Sequence, residues 1–140
     1  MALIRVLVTY RRKGEAVQNV EFFSRAYEEC VELRQQSKEE WMGRALLALQ
    51  QMDRWEIAAF ADESFAGGLC LAHDPWDVHV GPCISVFAQY VLPEHRLGGV
   101  SPRLMREAMK IARSSGKSTL AYTHRKGPWR YDTIYRSITK

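Results

Sequence analysis

The stretch Val91-Leu92-Pro93-Glu94-His95-Arg96-Leu97-Gly98-Gly99-Val100-Ser101-Pro102-Arg103-Leu104-Met105 constrains this chain more than any other. An apolar, strand-like run from Ile84 to Leu92 enters it, and a helical run from Pro102 to Ser115 leaves it. A strand that turns sharply into a helix aims unpaired backbone N–H groups at one point. The helix dipole adds partial positive charge there, so an anion can bind. Glycine permits close approach and positive φ without strain. Pro102 suits a first helical turn because its φ is preset, although it removes one donor. The turn is a plausible cradle for a pyrophosphate.

These residues carry a family resemblance. The segment resembles the acyl-CoA-binding motif of the GCN5-related N-acetyltransferases (the GNAT superfamily), R/Q-x-x-G-x-G/A after a V-x-P-E-x-R strand end. Arg96, Gly99 and Ser101 fall on the motif without a gap, with Val91, Pro93 and Glu94 before it. Ser101 stands where the family usually has glycine or alanine. The resemblance implies acetyl-CoA as co-substrate. It assigns cofactor binding to Tyr90, Val91, Arg96, Leu97, Gly98, Gly99, Val100 and Ser101. It also implies a mixed sheet that splays open beside the Ile84–Leu92 strand. The pantetheine arm would lie in the splay, bonded to backbone near Tyr90 and Val91 like an extra strand.

At 140 residues, with 46% hydrophobic and 26% charged residues, the chain is expected to form a single domain over 1–140 with a real core. No apolar run reaches membrane-spanning length, and the N-terminus reads as a first strand rather than a secretory signal. Cys30, Cys70 and Cys83 are odd in number and widely spaced. They argue against a disulfide framework or a zinc site and for a reducing, cytoplasmic setting. Charge is uneven: residues 1–93 carry a net −4 and residues 94–140 a net +8. A basic half can attract a polyanion such as coenzyme A or nucleic acid. No nucleic-acid reading motif accompanies it, so nucleic acid ranks last among the partners.

Periodicity orders the elements. Ala2–Tyr10 alternates like a strand. Val17–Leu33 has helical spacing. Ser37 with Glu40 forms a capping-box pattern that starts a second helix. Trp55–Ala61 and Phe65–Ala72 read as strands around an Asp-Glu-Ser turn, with Gly67-Gly68 as a possible bulge. Asp74–Gly81 reads as a loop, Ile84–Leu92 as a central strand, Pro102–Ser115 as a helix ended by Gly116, and Ser118–His124 as a strand. This β–α–α–β–β–β–α–β order is that of the GNAT fold. The expected class is α/β (α+β), a GNAT-like acyl-CoA N-acyltransferase fold with a splayed mixed sheet and helices on both faces.

The C-terminal part departs from the family, which continues with a helix and two strands. Residues 130–138 admit two readings. A helix puts Tyr131, Ile134, Tyr135 and Ile138 on one face, and by resemblance Tyr135 then becomes the catalytic tyrosine. A strand hairpins with Ser118–His124, and the Tyr, Thr and Ile content favours it. The abbreviated sheet edge is then a place for another subunit or a larger assembly.

Acetyl transfer from a thioester needs a neutral amine, a backbone N–H on the carbonyl and a proton for the thiolate. Tyr135 is the donor candidate under the helix reading, with Tyr122 and Tyr131 as substitutes. Glu94, His79, His124 or water could take the amine proton. Asp74, Asp77 and His79 are irregularly spaced, read as a solvated loop, and no metal is expected. Trp76 and Trp129 lie in loops and are the better tryptophan candidates for a binding surface. The expected function is an acetyl-CoA-dependent N-acetyltransferase acting on a small-molecule or protein amine. The alternative is an inactive GNAT-fold structural or interaction protein, for example a phage virion component.

Overall fold

The computed structural model describes residues 3–138. Strand β1 (Ile4–Arg11) is followed by helices α1 (Glu21–Glu29) and α2 (Lys38–Gln50). An antiparallel run then comprises β2 (Arg54–Ala61), β3 (Ser64–Asp77) and β4 (Gly81–Val91). Helix α3 (Val100–Ser114) crosses to β5 (Thr119–Gly127), which hairpins into β6 (Arg130–Ser137). The six strands lie in sequence order in one sheet, antiparallel throughout except where β4 meets β5.

Two apolar layers sandwich this sheet. On one face α3 buries Val100, Leu104, Ala108 and Ala112 against Ile57, Leu69, Leu71, Ile84 and Leu120. Four-residue spacing stacks those side chains along one stripe of the helix. Burying Leu104 alone contributes roughly 1.5–3 kcal/mol. On the other face α1 and α2 bring Phe22, Phe23 and Leu49 against Cys70, Tyr90 and Leu92. Gly68 permits that approach, since a Cβ there would stand 2.7 Å from the Phe22 ring. Ser37 caps α2 as the sequence predicts, its Oγ accepting from Glu40 N–H at 3.1 Å.

Three expectations change, and the two readings of residues 130–138 resolve to the favoured one. The single helix over Val17–Leu33 is broken: α1 ends at Glu29, Cys30 is extended (φ −91°, ψ 102°), and Val31–Gln35 forms a 3-10 turn. The break turns Glu32 inward to an ion pair with Arg125, a tertiary contact that overrides helical periodicity. The loop over Asp74–Gly81 is mostly strand, because β3 runs on to Asp77. The turn that follows is closed by Asp77 Oδ1, which accepts from His79 N–H at 2.7 Å and Val80 N–H at 3.3 Å. The bulge falls just ahead of the glycine pair: Ala59 opposes Gly67 and Phe60 opposes Phe65, leaving Ala66 extra. Residues 130–137 form strand β6 rather than the alternative helix, as their β-branched and aromatic content favours, with Ala121 opposite Tyr135.

At the start of β2, Arg54 lies fully buried. Its guanidinium donates to Glu56 Oε2 (2.8 Å) and to the carbonyls of Glu15 (2.7 Å), Leu49 (3.2 Å) and Met52 (3.3 Å). Glu56 Oε1 accepts from Gln18 N–H at 3.0 Å. One buried pair thus joins the β1–α1 connection, the end of α2 and β2.

Candidate functional site

Strands β4 and β5 pair only at Ile84 with Leu120 and Ser85 with Ala121, then diverge. Beyond Val86, the edge of β4 that faces β5 has no partner strand among the described residues. The divergence is sharpened by a bulge: Cys70 opposes Ala88 and Leu71 opposes Val86, so Phe87 has no partner on β3. Under α1 the gap becomes a cavity of about 650 Å³. Phe87–Val91 of β4 form one wall, Thr123, His124 and Arg125 of β5 another, and Phe22, Phe23 and Trp41 of the helices its roof. Arg96 and Ser101 stand at the mouth that faces α3.

The β4–α3 turn has the features an anion site requires. Gly99 sits at φ +81° ahead of the first helical turn, a conformation that L side chains rarely adopt. The first backbone bond of α3 runs from Arg103 N–H to Gly99 C=O, so the Val100 and Ser101 N–H groups precede the helical ladder. Ser101 lines the cavity. A diphosphate fits this donor set, and an extended amide chain fits the open edge of β4.

Arg96 lines the cavity with its guanidinium held by groups of the protein. Its Nε donates to Val91 C=O at 3.0 Å, and both terminal nitrogens pair with the Glu29 carboxylate, Nη1 to Oε2 at 2.7 Å. The Tyr90 hydroxyl donates to the same carboxylate, and the Arg96 guanidinium lies 5.4 Å from the Tyr90 ring centre. The hydrogen bonds of Arg96 hold Glu29 well below the usual carboxylate range, and burial pushes the Tyr90 hydroxyl up. In this arrangement Arg96 ties α1 to the turn.

The other predicted residues separate. Tyr90, Val91, Arg96 and Ser101 line the cavity; Leu97, Gly98, Gly99 and Val100 do not. Leu97 is wholly exposed, while the Val100 side chain is buried under the sheet. Glu94 lies outside the lining, in an exposed ion pair with Arg25 (3.2 Å). Tyr135 also lies outside it: on β6 rather than a helix, its hydroxyl donates to Asp77 Oδ2 at 3.1 Å. His124 and Tyr131 line the cavity, whereas His79 and Tyr122 do not. Of the tryptophans it is Trp41, not the exposed Trp76 and Trp129, that reaches the cavity. Oxygens of Asp74 and Asp77 and the Cys83 sulfur lie within 4.8 Å of one another, but Asp77 is already spent on the turn and on Tyr135.

A second charge cluster closes the far end. Arg125 Nε and Nη2 donate to Glu32 at 2.6 and 2.8 Å, and the Tyr131 hydroxyl donates to the same carboxylate. The Arg125 hydrogen bonds hold Glu32 at about 2, while burial and the carboxylate push Tyr131 to about 12. A carboxylate whose folded pKa is depressed adds stability that is fully present above its unfolded value. That contribution is lost as pH falls through the folded value. For Glu32 the window runs from about pH 4.5 down to about 2. Thermal melts across that range should show a falling midpoint, and Glu32→Gln should flatten part of the slope. An unchanged slope in the variant would exclude the pair as a source of acid sensitivity. The acidic members of the two clusters lie outside any sequence motif; their local signal is two glutamates, Glu29 and Glu32, three residues apart at the end of a helical run.

The comparisons agree with this architecture. Residues 18–127 match the family model described as the acetyltransferase (GNAT) family. No curated protein sequence matches the chain. Among solved structures, an aminoglycoside N-acetyltransferase AAC(6')-Iy in complex with CoA aligns at TM-score 0.63 and 14% identity, over 90% of this chain and 80% of that one. An IAA acetyltransferase from Bacillus cereus ATCC 14579 aligns at TM-score 0.57 and 16% identity, over 87% and 67%. A GNAT-family acetyltransferase from Streptococcus pneumoniae aligns at TM-score 0.55 and 20% identity, over 87% and 76%. With the sheet splayed beside β4, a glycine turn opening α3, and a family match over most of its length, the chain belongs to the GNAT acetyltransferase family.

Proposed function

We propose that this protein transfers an acetyl group from acetyl-CoA to an amine bound in the cavity between α1 and the diverging strands. The observation that carries this reading is the continuity of the α3 N-terminus, the open edge of β4 and the cavity, which together suit a diphosphate, an extended pantetheine arm and a thioester in that order. The Val100 and Ser101 N–H groups receive the diphosphate, and the backbone of Phe87–Val91 pairs with pantetheine amides. An N–H at the Phe87 bulge polarises the thioester carbonyl, where negative charge develops on attack.

The amine arrives between the aromatic roof of Phe22, Phe23 and Trp41 and the β5 wall. Its nitrogen attacks the carbonyl carbon, the carbon–sulfur bond breaks, and the amine proton leaves toward His124. Of the two tyrosines lining the cavity, Tyr90 belongs to the Arg96 cluster. Tyr131 stands across the splay and is our choice for protonating the departing thiolate. Its hydroxyl, hydrogen-bonded to Glu32, carries its proton at neutral pH, the state a donor must hold.

Thiol release from acetyl-CoA with a panel of primary amines tests this. At least one amine should give turnover, and Tyr131→Phe should lower kcat by about 100-fold with little change in KM for acetyl-CoA. A full kcat in the variant would remove Tyr131 from the chemistry. Absence of thiol release with every amine would favour a GNAT-fold binding protein.

A further inference from the structure

Strand β6 is the outermost strand on its side of the sheet, and among the described residues nothing pairs with its outer edge. Edges that stay solitary are usually blunted by unpaired charged side chains, lysine above all, or by proline, a bulge or a covering segment. From Arg130 to Arg136 the strand contains no lysine and no proline. Its register with β5 is regular, the one irregularity falling between Arg125 and Gly127 on β5. It leaves Tyr131 50% and Ile134 38% exposed.

We propose that a second copy of this chain pairs antiparallel along β6, on a two-fold axis through Ile134, fusing two six-stranded sheets into one. The charge pattern selects this partner and this register. A two-fold axis normal to the sheet must pass beside one residue, because directly opposed residues point to the same face. Centred on Ile134, it sets Thr133 opposite Tyr135 and Asp132 opposite Arg136 of the other copy, the latter pair occurring twice. Centred on Thr133, it sets Arg130 opposite Arg136, two like charges. Centred on Tyr135, it leaves Asp132 facing Ile138 and Arg136 facing Ile134.

Within one chain Asp132 and Arg136 are four strand residues apart, roughly 13 Å, too far to pair. Among the described residues Asp132 reaches one cation, Lys126, at 4.0 Å in an exposed contact. Asp132, Ile134 and Arg136 share one face by strand alternation, so the two Ile134 side chains meet on the axis, flanked by the ion pairs. The opposite sheet edge, β1, offers no equivalent. Its charges are Arg5 and Arg11, with no acid among Ile4–Arg11 to answer them.

Light scattering after size exclusion, over a concentration series, tests the proposal. The native chain should run at twice its 16.1 kDa mass. Arg136→Asp should give the monomer, and the swap Asp132→Arg with Arg136→Asp should restore the dimer. Ile134→Cys should form an interchain disulfide under mild oxidation, and Thr133→Cys should not, which checks the axis without depending on charge. A native monomer at every concentration would overturn the proposal. So would a dimer indifferent to Arg136→Asp, or one that Ile134→Cys fails to cross-link. Acetyl transfer does not enter this test, so its outcome is independent of the catalytic reading.

Discussion

Arg54→Met should destabilise the protein by about 3–5 kcal/mol, a fall in melting temperature on the order of 10–20 °C for a domain of this size. The guanidinium is fully buried and Glu56 nearly so, at 0% and 5% side-chain exposure. Removing one member of a buried ion pair leaves the other charge desolvated without its partner. Here the Glu56 carboxylate would retain only the Gln18 N–H. The carbonyls of Glu15, Leu49 and Met52 would each lose a guanidinium hydrogen bond as well. Glu56→Gln keeps a hydrogen-bonding side chain in place and should lose less, about 1–2 kcal/mol. The exposed pair Lys110–Glu107 is the internal control. Glu107→Ala should stay within about 0.5 kcal/mol. Differential scanning calorimetry resolves all three, and a near-native melt for Arg54→Met would show that the cluster contributes little.

The second large effect concerns binding. Ser101→Asp should weaken acetyl-CoA binding by about 100-fold, equivalent to ~2.7 kcal/mol. Ser101 lies in the first turn of α3 and lines the cavity mouth. A carboxylate there occupies the anion position and repels a diphosphate. The same carboxylate interacts favourably with the helix dipole, so the fold should be unharmed or slightly firmer. This opposition of effects is diagnostic: affinity falls while the melting temperature without cofactor does not. Replacing Arg96 would be less informative. Its guanidinium braces Glu29 and the Val91 carbonyl, and its loss would disturb the turn whether or not it touches cofactor.

The elements legible in the sequence are those whose signals are local. The buried stripe of α3 follows from Leu104, Ala108 and Ala112 at four-residue spacing, and α2 begins where Ser37 and Glu40 say it should. The β4–α3 turn proposed to bind the diphosphate is legible because glycine, proline and the flanking periodicities sit side by side. The rest of the site depends on partners far apart in the chain. Glu29 meets Arg96 across 67 residues and Glu32 meets Arg125 across 93, so no local pattern announces either pair. The same long-range pull breaks α1 at Cys30, against a periodicity that continues to Leu33. Tyr135 is ambiguous in the sequence because Tyr131, Ile134, Tyr135 and Ile138 carry helical spacing while the Tyr, Thr and Ile content favours a strand. Pairing with β5 settles it as a strand, and the tyrosine of that strand that reaches the cavity is Tyr131.

Calorimetric titration of acetyl-CoA into the native chain and into Ser101→Asp, with melting temperatures of both recorded without cofactor, is the most direct measurement. Cofactor binding at the α3 N-terminus predicts saturable one-to-one binding to the native chain. In the variant it predicts about 100-fold weaker binding at an equal or higher melting temperature. Equal affinity in the two proteins, or no binding to the native chain at millimolar cofactor, would contradict it.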